Sequence, residues 1–169
     1  MLREPDADAT TIHGNCVLLG EAGILIRGES GAGKSALCLA LIDEAERDRL
    51  HARLVADDRV RLTRRHGRLI ARPHPTLAGR IELRGLGIRT LPTHAEAAVL
   101  RLVVDLVPHR PRMPETAEEK TEILGLRLPV LTLEPRQPGP YLIREVLRSM
   151  SVARQSHPGS VLARNAADP

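Results

Sequence analysis

The sequence predicts an α/β domain built around a phosphate-binding loop, and three observations carry that prediction. Gly28-Glu29-Ser30-Gly31-Ala32-Gly33-Lys34-Ser35 fills every fixed position of the pattern G-x-x-x-x-G-K-[ST]. A short β-rich run, Ile24-Leu25-Ile26, enters the motif. Residues 35–49 leave it without Gly or Pro, with Leu37, Leu41 and Ala45 along one helical face. A further apolar run, Leu54-Val55-Ala56, reads as a buried strand and ends in the paired carboxylates Asp57-Asp58.

The strand–loop–helix context gives the motif its chemistry. Backbone N–H groups wrap a phosphate chain, which requires glycine where a side chain would block the approach. The helix N-terminus adds a partial positive charge. Lys34 is then placed to reach the outer phosphates and Ser35 to ligate Mg²⁺, so the chain should handle a nucleoside triphosphate or another polyphosphate.

Val60 to Leu62 and Leu69 to Ala71 flank a polar, glycine-containing turn at residues 64–68 and read as a hairpin, which Pro73 and Pro75 close. A helical turn is expected near Thr76. It leads into Ile81-Glu82-Leu83-Arg84-Gly85-Leu86-Gly87-Ile88, an apolar run interrupted by two glycines. Residues 99–107 form the longest β-type run and stop at Pro108. Residues 108–116, with Pro108, Pro111 and Pro114, should form a loop of the kind that carries substrate contacts. Residues 126–133 predict a strand interrupted by Pro129, and so at an edge. After a tighter loop at 135–140, residues 141–154 predict an amphipathic helix with Leu142, Val146 and Met150 at spacing four.

Composition narrows the class. A chain of 169 residues with 42% hydrophobic content is one domain, expected over 1–169 with an ordered core at about 11–156 and a polar C-terminal tail. No stretch is long enough to span a bilayer, and residues 1–11 lack a signal core, so a cytoplasmic protein without membrane contact is expected. Cys16 and Cys38 suit neither a zinc site nor a disulfide framework and read as buried thiols. The net charge of +4 comes from scattered arginines, with Lys34 and Lys120 the only lysines. Tyr141 is the sole aromatic, which leaves nothing for base stacking and argues against nucleic-acid binding.

Four segments at these spacings are shared with one family: His13-Gly14 ahead of the loop, the loop itself, Leu54-Val55-Ala56-Asp57-Asp58-Arg59, and Ile81 to Ile88 with its E-x-R-G-L-G-I core. Together they resemble the catalytic domain of HPr kinase/phosphorylase, from about Thr11 to about Ser149. The resemblance implies a phosphate-loop α/β fold similar to the nucleotide-binding core of phosphoenolpyruvate carboxykinase. It also implies two activities in control of the bacterial phosphotransferase system. One is ATP- and Mg²⁺-dependent phosphorylation of a serine on HPr or a nitrogen-branch paralogue. The other is phosphorolysis of the phosphoserine by inorganic phosphate, with release of pyrophosphate, which can itself serve as donor in reverse. A homo-oligomer, usually a hexamer, is implied as well.

Residue by residue, the resemblance makes Asp58 the base that deprotonates the acceptor serine and, when protonated, the acid of the reverse reaction. His13 neighbours that acid, with Lys34 and Arg112 as further catalytic groups. Arg110 competes with Arg112 for its role. Ser35 and Glu82 are the implied Mg²⁺ ligands; a salt bridge to Arg84 is the alternative use of Glu82. Asp57, Arg84, Gly85, Gly87 and, in the later proline loop, Arg136 are supporting residues. This chain resembles the short form, without the N-terminal domain of longer members. Two other classes are compatible with the loop alone. One is a nucleotide hydrolase or small-molecule kinase; the other is a nucleotide-responsive sensor module, which would not need to keep Lys34, Asp58 and Glu82.

Overall fold

Strands of four to nine residues dominate the chain; nine of those described assemble into one mixed sheet backed by two helices, and two pair separately as a hairpin. The computed structural model describes residues 9–109 and 119–155. Strands β1 (Ala9–His13), β2 (Asn15–Leu19) and β3 (Ala22–Gly28) precede helix α1 (Lys34–Arg47). Strands β4 (Ala52–Ala56), β5 (Arg59–Arg65) and β6 (Arg68–Pro73) come after it. A 3₁₀ turn at Pro75–Leu77 leads to β7 (Arg80–Leu83) and β8 (Gly87–Thr90). The chain continues through β9 (Ala98–Leu106), β10 (Lys120–Ile123) and β11 (Leu126–Leu133) to helix α2 (Gly139–Gln155).

The main sheet runs β1-β5-β6-β9-β3-β2-β4, with β11 also on β9 and β10 paired to β11. Its centre is the parallel pair β3 and β9, in which Ile24 to Gly28 lie beside Leu102 to Leu106. β11 adds a second parallel neighbour to β9 over Val130 to Leu133. A strand buried on both faces needs a continuous apolar run, and β3 supplies one in Ile24, Leu25 and Ile26, all fully buried. One face packs against α1 and α2 through Ile24, Ile26, Cys38, Leu41, Ala45, Leu102 and Ile143. The other face closes over a second core of Leu25, Val60, Leu62, Leu69, Leu100, Val103 and Ile123, contributed largely by the outer strands.

Several expectations are refined. The helix after the loop ends at Arg47, two residues before the expected 49, where Asp48 caps it and Arg49 turns to φ 58°. Pro129 does not break β11. It pairs with Lys120 at the end of the β10 ladder, and at Val130 the strand takes β9 as partner, so a residue without an N–H stands where the strand changes neighbours. The interrupted run 81–88 folds as the separate β7–β8 hairpin, with Gly85 at φ 81° and Gly87 at φ 74° making its turn. β1, β2 and β10 were not predicted as strands; β1 is half polar and β10 is short.

Candidate active site

The loop sits where β3 passes into α1, at the carboxyl end of the central parallel pair. At its root, Gly28 has φ 154°, and a Cβ there would lie 2.9 Å from the Leu106 carbonyl oxygen, so only glycine lets the loop leave the sheet this close to β9. Gly33 caps α1 at φ 95°, turning the backbone before the helix starts. Lys34 is buried, and its Nζ donates to the carbonyls of Gly28 at 2.9 Å and Glu29 at 2.8 Å. These acceptors are neutral dipoles rather than a carboxylate. An arriving phosphate therefore competes for the ammonium against weak partners.

The two adjacent aspartates do different work because the backbone turns between them. Asp57 ends the buried β4 run and is only 8% exposed. Its Oδ1 accepts from Ser35 Oγ at 2.9 Å and from Asn15 Nδ2 at 2.6 Å, and its Oδ2 accepts from the Glu82 backbone N–H at 2.8 Å. That set ties the loop serine, β2 and the β7–β8 hairpin to one carboxylate. Asp58 takes φ 66°, a left-handed conformation that Asp tolerates better than most residues, and its side chain is more than half exposed. It stands 3.0 Å from His13 Nδ1. The Gly14 N–H donates to the Asp58 carbonyl at 3.0 Å and so joins the two chain segments behind this pair. A Cβ on Gly14 would lie 2.6 Å from the Ile26 carbonyl, so glycine is required for the approach.

These groups share one cleft of about 890 Å³, lined by His13, Asn15, Ser30, Gly31, Gly33, Lys34, Ser35, Asp57, Asp58, Glu82 and Arg84 together with Asp43 and several apolar residues. Of the two uses expected for Glu82, the salt bridge to Arg84 is not made: the side chain is exposed toward the cleft and forms no ion pair with Arg84. The alternation of β7 explains this, since Ile81 takes the buried side. Arg84 instead lies over the loop: a Cβ on Gly31 would be 3.6 Å from its Nη1.

Gly28, Glu29 and Ala32 belong to the loop without lining the cleft, and Gly85 and Gly87 shape the hairpin turn. Arg136 is exposed in the turn before α2 and is not among the residues lining the cleft. Arg112 and Arg110 lie outside the described residues. Asn15 was missed by sequence reasoning, although a signal existed: a polar residue heads the apolar run Cys16-Val17-Leu18-Leu19.

The donor set suits a hard divalent cation. Ser35 Oγ, the Asp57 carboxylate and the Glu82 carboxylate are all oxygen donors on the same cleft. Among the described residues no group of three or more His, Cys, Asp or Glu is arranged to hold a metal ion by itself. Such a sparse set fits Mg²⁺, which keeps waters and takes phosphate oxygens as ligands. Both cysteines are buried free thiols, as expected. No helix among the described residues is long and apolar enough to cross a membrane.

A glycine-rich loop between a parallel strand and a helix, with a lysine, a hydroxyl and two separately placed carboxylates in its cleft, defines a phosphate-loop nucleotide-binding class of domain. The family model described as "HPr Serine kinase C-terminal domain" matches residues 6–140. The HPr kinase/phosphorylase of Geobacillus kaustophilus is 36% identical over 144 residues, which are 79% of this chain and 44% of that protein. That of Mycoplasma mycoides subsp. mycoides SC is 35% identical over 119 residues, 63% of this chain and 36% of that protein. Among solved structures, the Hpr(Ser) kinase/phosphatase from Coxiella burnetii superposes with a TM-score of 0.72 at 29% identity, covering 86% of this chain and 99% of that one. The chain belongs to the HPr serine kinase C-terminal domain family. It spans less than half the length of these two curated relatives.

Proposed function

We propose that this chain is a protein serine kinase/phosphorylase that transfers phosphate from ATP to a serine of HPr, or of a nitrogen-branch paralogue, and removes it by phosphorolysis. The observation that carries the reading is the division of labour between the two aspartates. Asp57 is committed to the Ser35 hydroxyl, while Asp58, held beside His13, is open at the mouth of the same cleft. Family membership and the names of the relatives support the choice of substrate.

In the forward direction, the acceptor serine hydroxyl gives its proton to the Asp58 carboxylate as its oxygen attacks the γ-phosphorus. The bond from that phosphorus to the β–γ bridging oxygen breaks, and ADP leaves. In reverse, an oxygen of inorganic phosphate attacks the phosphoserine phosphorus. The serine oxygen leaves with the proton from Asp58, and pyrophosphate is formed. His13 at 3.0 Å holds the carboxylate in position for both directions. Lys34 and the loop N–H groups hold the polyphosphate chain. Arg84, over Gly31, is the described cation best placed to meet charge on the transferring group, a role that the resemblance gives to Arg112 or Arg110. Ser35 and Glu82, with Asp57 behind the serine, would hold Mg²⁺, which when bound neutralises phosphate charge and orients the γ-phosphoryl group.

Use of ATP would suit a cytoplasmic reaction, and the resemblance implies a homo-oligomer, a hexamer in most members. The test is transfer from γ-labelled ATP with Mg²⁺ to purified HPr of the same organism, with inorganic phosphate added afterwards. Label should appear on serine and return as pyrophosphate. ATP consumption without labelled carrier would favour a hydrolase or small-molecule kinase, and binding without turnover a sensor.

A further inference from the structure

Asn15 is nearly fully buried at 1% exposure, at the start of β2, beneath the loop and inside the cleft wall. Its Nδ2 donates to Asp57 Oδ1 at 2.6 Å and to Ser35 Oγ at 3.1 Å. Ser35 Oγ in turn donates to the same Asp57 oxygen at 2.9 Å. The three side chains, from β2, the start of α1 and the end of β4, close a small hydrogen-bonded triangle.

A serine hydroxyl has one proton and two lone pairs. In this triangle the proton is directed to Asp57 and one lone pair accepts from Asn15. One lone pair is left, and the rotor is no longer free to choose where it points. We propose that Asn15 is a positioning residue that orients the Ser35 hydroxyl so that its remaining lone pair is presented to the divalent cation of the nucleotide complex. The inference rests on the reading of Ser35 as a cation ligand.

Satisfying Asp57 alone would not require this arrangement. Asp57 already accepts from Ser35 on Oδ1 and from the Glu82 backbone N–H on Oδ2, and neither bond depends on Asn15. Asn15 adds a further donor to Asp57 Oδ1, a hydrogen bond to the Cys38 thiol and, of consequence for the cleft, the contact to Ser35. An apolar side chain of similar volume at position 15 would leave the bond to Asp57 in place but both serine lone pairs open, so that solvent would compete for them and the cation would have to select one on binding. The loss should therefore fall on the cation-dependent part of nucleotide binding. Contacts made by Lys34 and the loop backbone should be spared.

The experiment measures the affinity of a fluorescent ATP analogue in EDTA and in Mn²⁺, for the unsubstituted chain, Asn15→Leu and Asn15→Thr, with thermal melts of each. In the unsubstituted chain Mn²⁺ should tighten binding. In Asn15→Leu that enhancement should fall by about tenfold, the value of a good hydrogen bond, while affinity in EDTA stays within about twofold. Asn15→Thr keeps a hydroxyl donor and a β-branched side chain suited to the strand, so it should lose only about threefold of the enhancement. It decides the matter if Asn15→Leu does not fold. An equal loss in EDTA and in Mn²⁺, or an undiminished enhancement, would overturn the proposal. No effect of Mn²⁺ on the unsubstituted chain would instead remove the cation reading of Ser35 and this inference with it.

Discussion

Adjacent identical residues are indistinguishable by composition, and Asp57 and Asp58 part company only because the backbone turns at φ 66° between β4 and β5. The turn buries one carboxylate against Ser35 and exposes the other to an acceptor. Asn is among the few residues that accept left-handed backbone, so Asp58→Asn keeps the turn and removes only the ionisable group. Transfer to the carrier should fall by about a hundredfold or more, the usual contribution of a general base, with nucleotide affinity and melting temperature little changed. A fall in nucleotide affinity of similar size would move Asp58 into the binding machinery. The sequence identified the pair and its place beside the loop. The assignment of Asp58 as the base came from the family resemblance, and no rule of spacing shows which of two neighbouring acids a strand end will bury.

At the scale of elements, the loop depends on the pairing of β3 with β9. One residue before Gly28, Arg27 donates from Nε and Nη2 to the two oxygens of Asp105 on β9, both at 2.7 Å. The pair is less than one-third exposed, and hydrogen bonding to Asp105 raises the guanidinium pKa above its ordinary value. Because both strands are parallel and in register here, this clamp fixes the root of the loop against the sheet. Asp105→Asn keeps the shape but removes the charge and one of the two acceptors. It should lower unfolding free energy by about 2 kcal/mol, read as a shift of the urea midpoint. An unchanged midpoint would show that solvent replaces the clamp. Periodicity revealed β3, α1, β9 and α2 because each buries a continuous apolar face. It did not reveal β1 and β10, whose strand character comes from their partners: β1 alternates exposed and half-buried residues along β5, and β10 exists as a hairpin arm of β11. β2 was missed although its apolar run, Cys16 to Leu19, is buried.

Across the whole molecule, the sheet buries Cys16 and Cys38 completely, on opposite faces of the sheet. Burial pushes the Cys16 thiol up to about 12, with a backbone hydrogen bond from Ile24 opposing, and pushes Cys38 up further. A thiol whose folded pKa lies above its unfolded value of about 8.5 stabilises the fold fully below that value, and the contribution is lost as pH rises toward the folded pKa. Stability should therefore decline from about pH 9 to about pH 12, by up to about 1.4 kcal/mol per pH unit for each thiol. A thiol reagent should label neither cysteine in the native chain at pH 8 and both in denaturant. Rapid labelling of the native chain would contradict the burial.

The sequence by itself determined the phosphate-binding loop, its flanking strand and helix, and the family, because these depend on local spacing: glycines where the backbone must approach phosphate, and a lysine and hydroxyl at fixed offsets. Only the tertiary structure decided which aspartate serves Ser35, that Asn15 completes that contact, that Glu82 faces the cleft without pairing to Arg84, and that Arg84 lies over Gly31. Each of those facts joins segments far apart in the chain. Sheet pairing and the facing of side chains on β2, β4 and β7 set them, and local sequence carries no record of which strand a given run will find as its neighbour.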